Sequence, residues 1–595
     1  MCGFSGLISD KNILSSSIEN SLASIKHRGV DNTLITNTSS FYASNLSNAA
    51  TKNIFPNCEA VNSNIWLGFN RLSFVDFSEN GMQPFYDKNS DCFFMLNGEI
   101  YNYKALKKDL LADTNFSSDS DSEVAFKLYL KYGDAFINYL QGMFAIVIFH
   151  KKDLKLKIWR DRLGIKPFYY YHDSHNFIFS SEVKGILSSG LVTKKPNFQG
   201  IAYSMFLGTC PAPLTIYDNI FSLQAGHKLE FSFKEQSIKI ESYWNLSYSP
   251  SSNIINYDEF AADVIQLCKL YDSASSEKAI MLSGGIDSGT LAYFYGLVNN
   301  NLKAFTIFQK DSANNELVFA IDNAANAGLD IQDFEIPASP NKQVKEYYLN
   351  SEEEPNFIPE PTVFLAKKAS ELNVKILYNA LGLDEIFGGY GYFQKIKHLQ
   401  NFEWFLPLIP SFILPSQKRQ KLMDLKKYGI QYLPFISRNK FTWDEINAFL
   451  SNNKQPIPEH PIAFINKQIL ILFPDFVNLP KLKQASYLDI FYYISSHHTF
   501  RSDVPSMLHS IEMRFPFLDH TFIQKYFNQS DTFVNIHKEL KPQMRLFAKN
   551  YLSSKVLNMQ KKGFSIDASK WIGGDVSQKS WYKLGLDNIF DDLIL

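Results

Sequence analysis

Apolar runs in the second half of the chain come in two lengths, and their alternation predicts the fold there. Residues 278–282 read as a short buried strand, apolar after Lys278, and residues 289–298 form a longer apolar run of helical length. A strand is expected at 302–308, a helix at 317–327 and a strand at 333–336. A helix at 363–372 and a strand at 374–378 complete the series. Strands alternating with helices imply a parallel α/β sheet that binds ligands at its strand C-termini. The first strand and helix are joined by Ser283-Gly284-Gly285-Ile286-Asp287-Ser288. Strand, glycine loop and helix together cradle phosphate, because backbone N–H groups and the positive helix end face the anion.

The front third has a different texture, with short polar clusters set between apolar runs. They are His27-Arg28-Gly29, Arg71-Leu72-Ser73, Asn97-Gly98-Glu99, Ser120-Asp121-Ser122-Glu123, Gly142-Met143-Phe144 and Arg160-Asp161-Arg162. Ahead of them stands Met1-Cys2-Gly3. A methionine before a small residue is commonly trimmed, which would leave Cys2 with both a thiol and a free α-amine. That amine has an intrinsic pKa of about 7.7–8.0, against roughly 10.4 for lysine. It can act as a general base near neutral pH, so the nucleophile brings its own base.

In this order the clusters resemble the class II, N-terminal-nucleophile glutamine amidotransferases, from residue 1 to about residue 190. The resemblance implies Cys2 as nucleophile, with the Asn97 side chain and the Gly98 N–H as oxyanion donors. It implies Arg71 for the glutamine carboxylate, whose two oxygens suit a planar guanidinium fork. Glu99 and Asp121 would hold the glutamine ammonium. His27 is open between a structural role and a substrate contact.

The Ser283–Ser288 loop is not a Walker A loop; it resembles the S-G-G-x-D-S loop of ATP pyrophosphatases. The resemblance implies an ATP site built from Leu282, Ser283, Gly284, Gly285, Asp287, Ser288, Ile307, Asn379, Ala380 and Gly382. It implies Mg²⁺ on Asp287 and Asp384, since two carboxylates plus phosphate oxygens suit a hard cation that keeps several waters. A class II glutaminase followed by this domain resembles the glutamine-hydrolysing asparagine synthetases. Glu512-Met513-Arg514-Phe515-Pro516-Phe517-Leu518-Asp519 and Gln560-Lys561-Lys562-Gly563-Phe564, with Trp571 beyond, extend the likeness. Lys561 is implied as a catalytic lysine that stabilises negative charge at the synthetase site. The fold implied is an αββα sandwich followed by a parallel-sheet, adenine nucleotide α-hydrolase-like domain with helical inserts.

The chain departs from the family at Asn379-Ala380-Leu381-Gly382-Leu383. Well-studied members carry S-G-[ED]-G-[SG] there, so Leu381 replaces an acid and Leu383 a small residue. The expected activity is glutamine-dependent amide ligation with ATP, and L-aspartate is the first choice of acceptor. The same mechanism on a sugar acid or a peptide carboxyl is the alternative, and an impaired paralogue acting as a scaffold is the rival from another class. A β-lactam-forming cyclase needs no glutaminase and is disfavoured.

Length and charge bound the rest. At 595 residues, a glutaminase domain at 2–195, a connecting segment at 196–240 and a synthetase domain at 241–595 are expected. A net charge of −1 with mixed signs suggests no nucleic-acid or membrane partner. The five cysteines are scattered, without C-x-x-C or zinc spacing. No signal peptide precedes Cys2, so a cytoplasmic location is expected, and a homodimer is left open. The apolar stretch 402–415 is broken by Glu403, Pro407, Pro410 and Pro415, too short for the roughly 20 residues of a membrane span. A basic run from Lys418 to Lys427 follows. A packed insert with a solvated face is the reading preferred here over a membrane-surface contact.

Overall fold

A computed structural model of the chain describes residues 2–44, 62–251, 254–274, 276–310, 315–337, 340–412, 414–559, 578–590 and 593. The front of the chain forms two antiparallel sheets, one of seven strands and one of six. In the first, Gly3–Leu14 lies between Asn176–Ser180 and Asn62–Arg71. In the second, Cys92–Ile100 pairs with Gly142–His150 over its whole length.

Side-chain alternation along these strands builds the layers. Phe93 and Met95 point between the sheets, where they meet Phe4, Ile8, Leu67 and Phe69. Cys92, Phe94 and Leu96 point the other way, onto Val124 and Leu128 of helix Asp121–Tyr132. On the far side, Leu7 and Trp66 pack with Ile18 and Leu22 of helix Ser15–Ser24. The result is the expected helix–sheet–sheet–helix sandwich. The segment expected to connect the halves is woven into it: Ile220–Ser222 edges the larger sheet, and His227–Ser232 with Ser237–Ser242 extends the smaller.

The second half carries a five-stranded parallel sheet in the order Ile331–Glu335, Lys303–Phe308, Lys278–Met281, Ile376–Tyr378, Glu512–Arg514. The chain moves outward from Lys278–Met281 in one direction and then returns to its other side. That leaves a crevice at the strand C-termini, the usual ligand position in open α/β sheets. Between the fourth and fifth strands runs a helical insert that includes Gly391–Leu399, Ser416–Tyr428, Trp443–Asn452 and Pro461–Leu472. Part of it encloses a small core of its own around Phe393, Ile396, Leu422 and Leu433. Thr442 and Glu445 form a reciprocal capping box that starts Trp443–Asn452.

The halves share one apolar core, in which Ile18, Leu22 and Ile186 are continuous with Phe305, Leu377 and Met507. Buried charges also cross the joint. Arg28 bridges Glu182 and Asp503 at 2.7 Å each, and Lys166 reaches Asp503 at 3.2 Å. Among the described residues, no helix is long and apolar enough to cross a membrane.

Candidate active sites

Cys2 immediately precedes the strand Gly3–Leu14, beside the end of Asn62–Arg71. Its thiol lies against the Leu72 backbone, 3.5 Å from the nitrogen and 3.8 Å from the oxygen. Burial pushes the thiol pKa up, so an accessible base is needed to ionise it. Cys2 N donates to Asn97 Oδ1 at 3.1 Å. The other end of that amide, Nδ2, is buried and meets no acceptor among the described residues. A buried donor without a partner calls for a functional explanation. Gly98 follows with φ +145°, and a Cβ there would fall 2.0 Å from the Met143 carbonyl, so only glycine fits.

Cys2, Arg71, Gly98, Glu99 and Asp121 line one small pocket of about 40 Å³. Arg71 is held in place by its own loop, donating to the Ser78 carbonyl at 2.5 Å and to the Asp76 carbonyl. Asp121 opens its helix and accepts from Ile100 N at 2.8 Å, and burial raises its pKa. The Glu99 carboxylate has two partners from the other half of the molecule. It accepts from Ser273 Oγ at 2.9 Å and pairs with Arg514 Nη2. His27 does not line the pocket; its ring is bonded to Glu182 at 3.0 Å.

The second site is a cavity of about 350 Å³ at the crevice of the parallel sheet. Leu282, Ser283, Gly285, Asp287, Ser288, Ile307, Asn379 and Ala380 line it. Gly284 and Gly382 do not. Gly284 is instead packed close to Phe319, Glu316 and Met559, and Gly382 against Phe517 and Leu518. Ser288 Oγ, in the first turn of Ile286–Val298, lies 2.9 Å from Ser283 Oγ and pins the loop. A Cβ on Gly389 would come within 1.6 Å of an Asp384 carboxylate oxygen, so glycine there lets the backbone pass.

Asp287 and Asp384 converge, and the ammonium of Lys541 lies between them at 2.6 and 2.7 Å. Despite burial, those two carboxylates raise the Lys541 pKa. The pair therefore forms a site for positive charge. Two carboxylates fit Mg²⁺ only if phosphate oxygens and water complete its shell. Among the described residues no cluster of three metal-ligating side chains occurs. Lys541 and Arg545, which also lines the cavity, were not singled out by the sequence, and neither was the bond from Arg514 to Glu99. Lys561 lies outside the described residues.

Leu381 lines the cavity, whereas Leu383 is fully buried in the core behind it. Neither Glu360 nor Glu385 lines it. Glu360 caps the helix Pro361–Glu371 through Thr362, and Glu385 accepts from Tyr390 at 2.6 Å.

Two family models match this architecture. A glutamine amidotransferase domain matches residues 57–244, and asparagine synthase matches residues 273–584, more than half of the chain. The chain belongs to the asparagine synthase family. It is 32% identical over 378 residues to the glutamine-hydrolyzing asparagine synthetase 2 of Bacillus subtilis. That match covers 58% of this chain and 48% of that relative, so it spans about half the relative's length. Asparagine synthetase 1 of the same organism is 26% identical, with 86% of this chain and 82% of the relative covered. The amidase chry2 of Gibberella zeae is 25% identical, with 87% and 83% covered.

Proposed function

We propose that the protein is a glutamine-dependent, ATP-consuming amide ligase. The observation that carries this is the gathering of Cys2, Arg71, Gly98 and Asp121 around one pocket, with Asn97 bonded to Cys2 N and its Nδ2 left without an acceptor among the described residues. In this reading the Cys2 α-amine takes the thiol proton as sulfur attacks the glutamine side-chain carbonyl. The Asn97 Nδ2 and the Gly98 N–H receive the developing oxyanion, where such a donor is typically worth about 2.7–4 kcal/mol. The proton passes to the departing ammonia, and water releases glutamate from the thioester.

In the larger cavity the acceptor carboxylate attacks the α-phosphorus of ATP and pyrophosphate leaves. Ammonia then attacks the acyl carbon, and the amide forms as AMP departs. Lys541 and Arg545 supply positive charge beside the phosphates, while the Ser283–Ser288 loop offers its backbone N–H groups. Asp287 and Asp384 would hold Mg²⁺ in place of the Lys541 ammonium that lies between them, leaving Lys541 to the phosphates, and the ion would neutralise charge on the pyrophosphate. Keeping ammonia inside the molecule prevents its protonation and protects the mixed anhydride from water.

Aspartate, giving asparagine, is the first acceptor to test. A second reading rests on Leu381, which presents apolar surface to the cavity while Glu360 and Glu385 are engaged elsewhere. An aspartate α-ammonium would lack a carboxylate at that wall, and an acceptor without an ammonium there would fit it. The test is AMP and pyrophosphate formation across a panel of carboxylates with glutamine, followed by the mass of the product. AMP formation with no carboxylate in the panel, or ammonia release unchanged in Cys2→Ala, would refute the proposal.

A further inference from the structure

The helical insert contains a surface that the ligase chemistry does not use. Phe402, Trp404, Phe405, Leu408 and Phe412 all stand exposed within eleven residues, with Trp404 72% and Phe412 79% open to solvent. The backbone beneath them is fixed. Leu406 plugs into the insert core with Tyr392, Phe393 and Ile396, and Ile409 packs against the same core. Lys426 Nζ donates to the carbonyls of Pro407 at 3.3 Å and Ile409 at 2.5 Å. Trp404 and Phe405 therefore project from a pinned 3-10 turn, Glu403–Leu408, with Phe402 just before it and Phe412 in the turn that follows.

Cations surround this edge. The helix Ser416–Tyr428 packs against the turn and exposes Lys418, Arg419 and Lys427. From 395 to 440 the chain carries nine lysines and arginines but only two acids, Glu403 and Asp424. Asp424 is buried. Burial pushes the Lys421 pKa down, and Lys440 and Lys395 nearby add to the shift. The near-neutral charge of the whole chain hides this local excess.

Exposed tryptophan and phenylalanine rimmed by lysine suit the headgroup layer of an anionic bilayer. The rings enter the interface and the cations meet the phosphates. Protein–protein interfaces favour aromatic residues too, but they are depleted in lysine. We propose that this face docks the protein on an anionic lipid surface through Trp404, Phe405 and Phe412, with Lys418 and Arg419 beside them.

The test uses the full chain sedimented with vesicles of phosphatidylcholine, with and without phosphatidylglycerol. We expect binding to the anionic vesicles that weakens as salt is raised. The pairs Trp404→Ser/Phe412→Ser and Lys418→Glu/Arg419→Glu should each reduce it about tenfold or more. Melting temperatures should stay unchanged, since these side chains are exposed. Absence of binding to both vesicle types would overturn the proposal, as would binding that ignores both variant pairs. A dimer in sedimentation velocity that Trp404→Ser/Phe412→Ser abolishes, with no vesicle binding, would reassign the face to a contact between copies.

Discussion

Cys2, Asn97 and Gly98 meet where the start of Gly3–Leu14 lies against Cys92–Ile100 of the other sheet, and at Gly98 no side chain fits. Cys2→Ala should abolish glutamine use and leave synthesis from added ammonia, read as AMP formed with each nitrogen source. Asn97→Ala should slow glutamine hydrolysis about 10²–10³-fold, measured as glutamate release at saturating glutamine. Lys541 makes a different case. Replacing it with methionine leaves Asp287 and Asp384 facing each other, and breaking such a buried pair costs about 3–5 kcal/mol. Lys541→Met should therefore lower the melting temperature. Magnesium should restore part of the loss and a chelator remove that gain, because a cation would again lie between the two acids. That Cys2, Arg71, Gly98, Glu99 and Asp121 gather at one pocket was legible in the sequence because their short polar clusters stand out between apolar runs. Lys541 was not, because it stands in a lysine-dotted stretch after Lys538, with φ +50° and no motif around it. Only the fold carries it to acids more than 150 residues away.

The elements read most directly were those with an unbroken apolar run. The helix expected at 317–327 appears as Leu317–Ala327, and the expected strands fall within a few residues of those observed. The fifth strand, Glu512–Arg514, left no such trace. It has three residues and two of them are charged, so no hydrophobic pattern marks it. It is nevertheless fully buried, because its charges are satisfied on the spot. Arg514 donates to Glu512 at 2.6 Å, to the Tyr271 carbonyl at 2.6 Å and to Glu99. Its own carbonyl accepts from Asn379 N at 2.9 Å, at the rim of the larger cavity. A lysine cannot reproduce that fork. Arg514→Lys should slow both glutamine hydrolysis and glutamine-independent AMP formation, and Glu99→Gln should be non-additive with it. Loss of the glutaminase reaction alone would mean that the strand does not position the ATP cavity.

Across the whole molecule the joint between the halves is as buried as either interior, and it holds acids that would rather be neutral. Burial raises the Glu354 pKa to about 8, although it accepts from Cys210 N at 3.3 Å. The unfolded chain ionises such a group near pH 4.3. Between those values the folded state holds a proton that the unfolded state has lost, so stability falls as pH rises through this window. The melting temperature should decline from about pH 5 to pH 8, and Glu354→Gln should flatten the decline while keeping the acceptor for Cys210 N. Sequence reading placed two domains in order along the chain but not their shared interior, since nothing local in Ile18 or Met507 shows which distant residue it will touch. That interior bears on how such a protein could have been assembled. Halves joined by a tether could be traded between lineages one at a time. Here a foreign glutaminase would arrive without Glu99 placed for Arg514, without Glu182 and Arg28 placed for Asp503, and with a mismatched apolar seam. With an interior shared in this way, each half limits the sequence changes the other can accept.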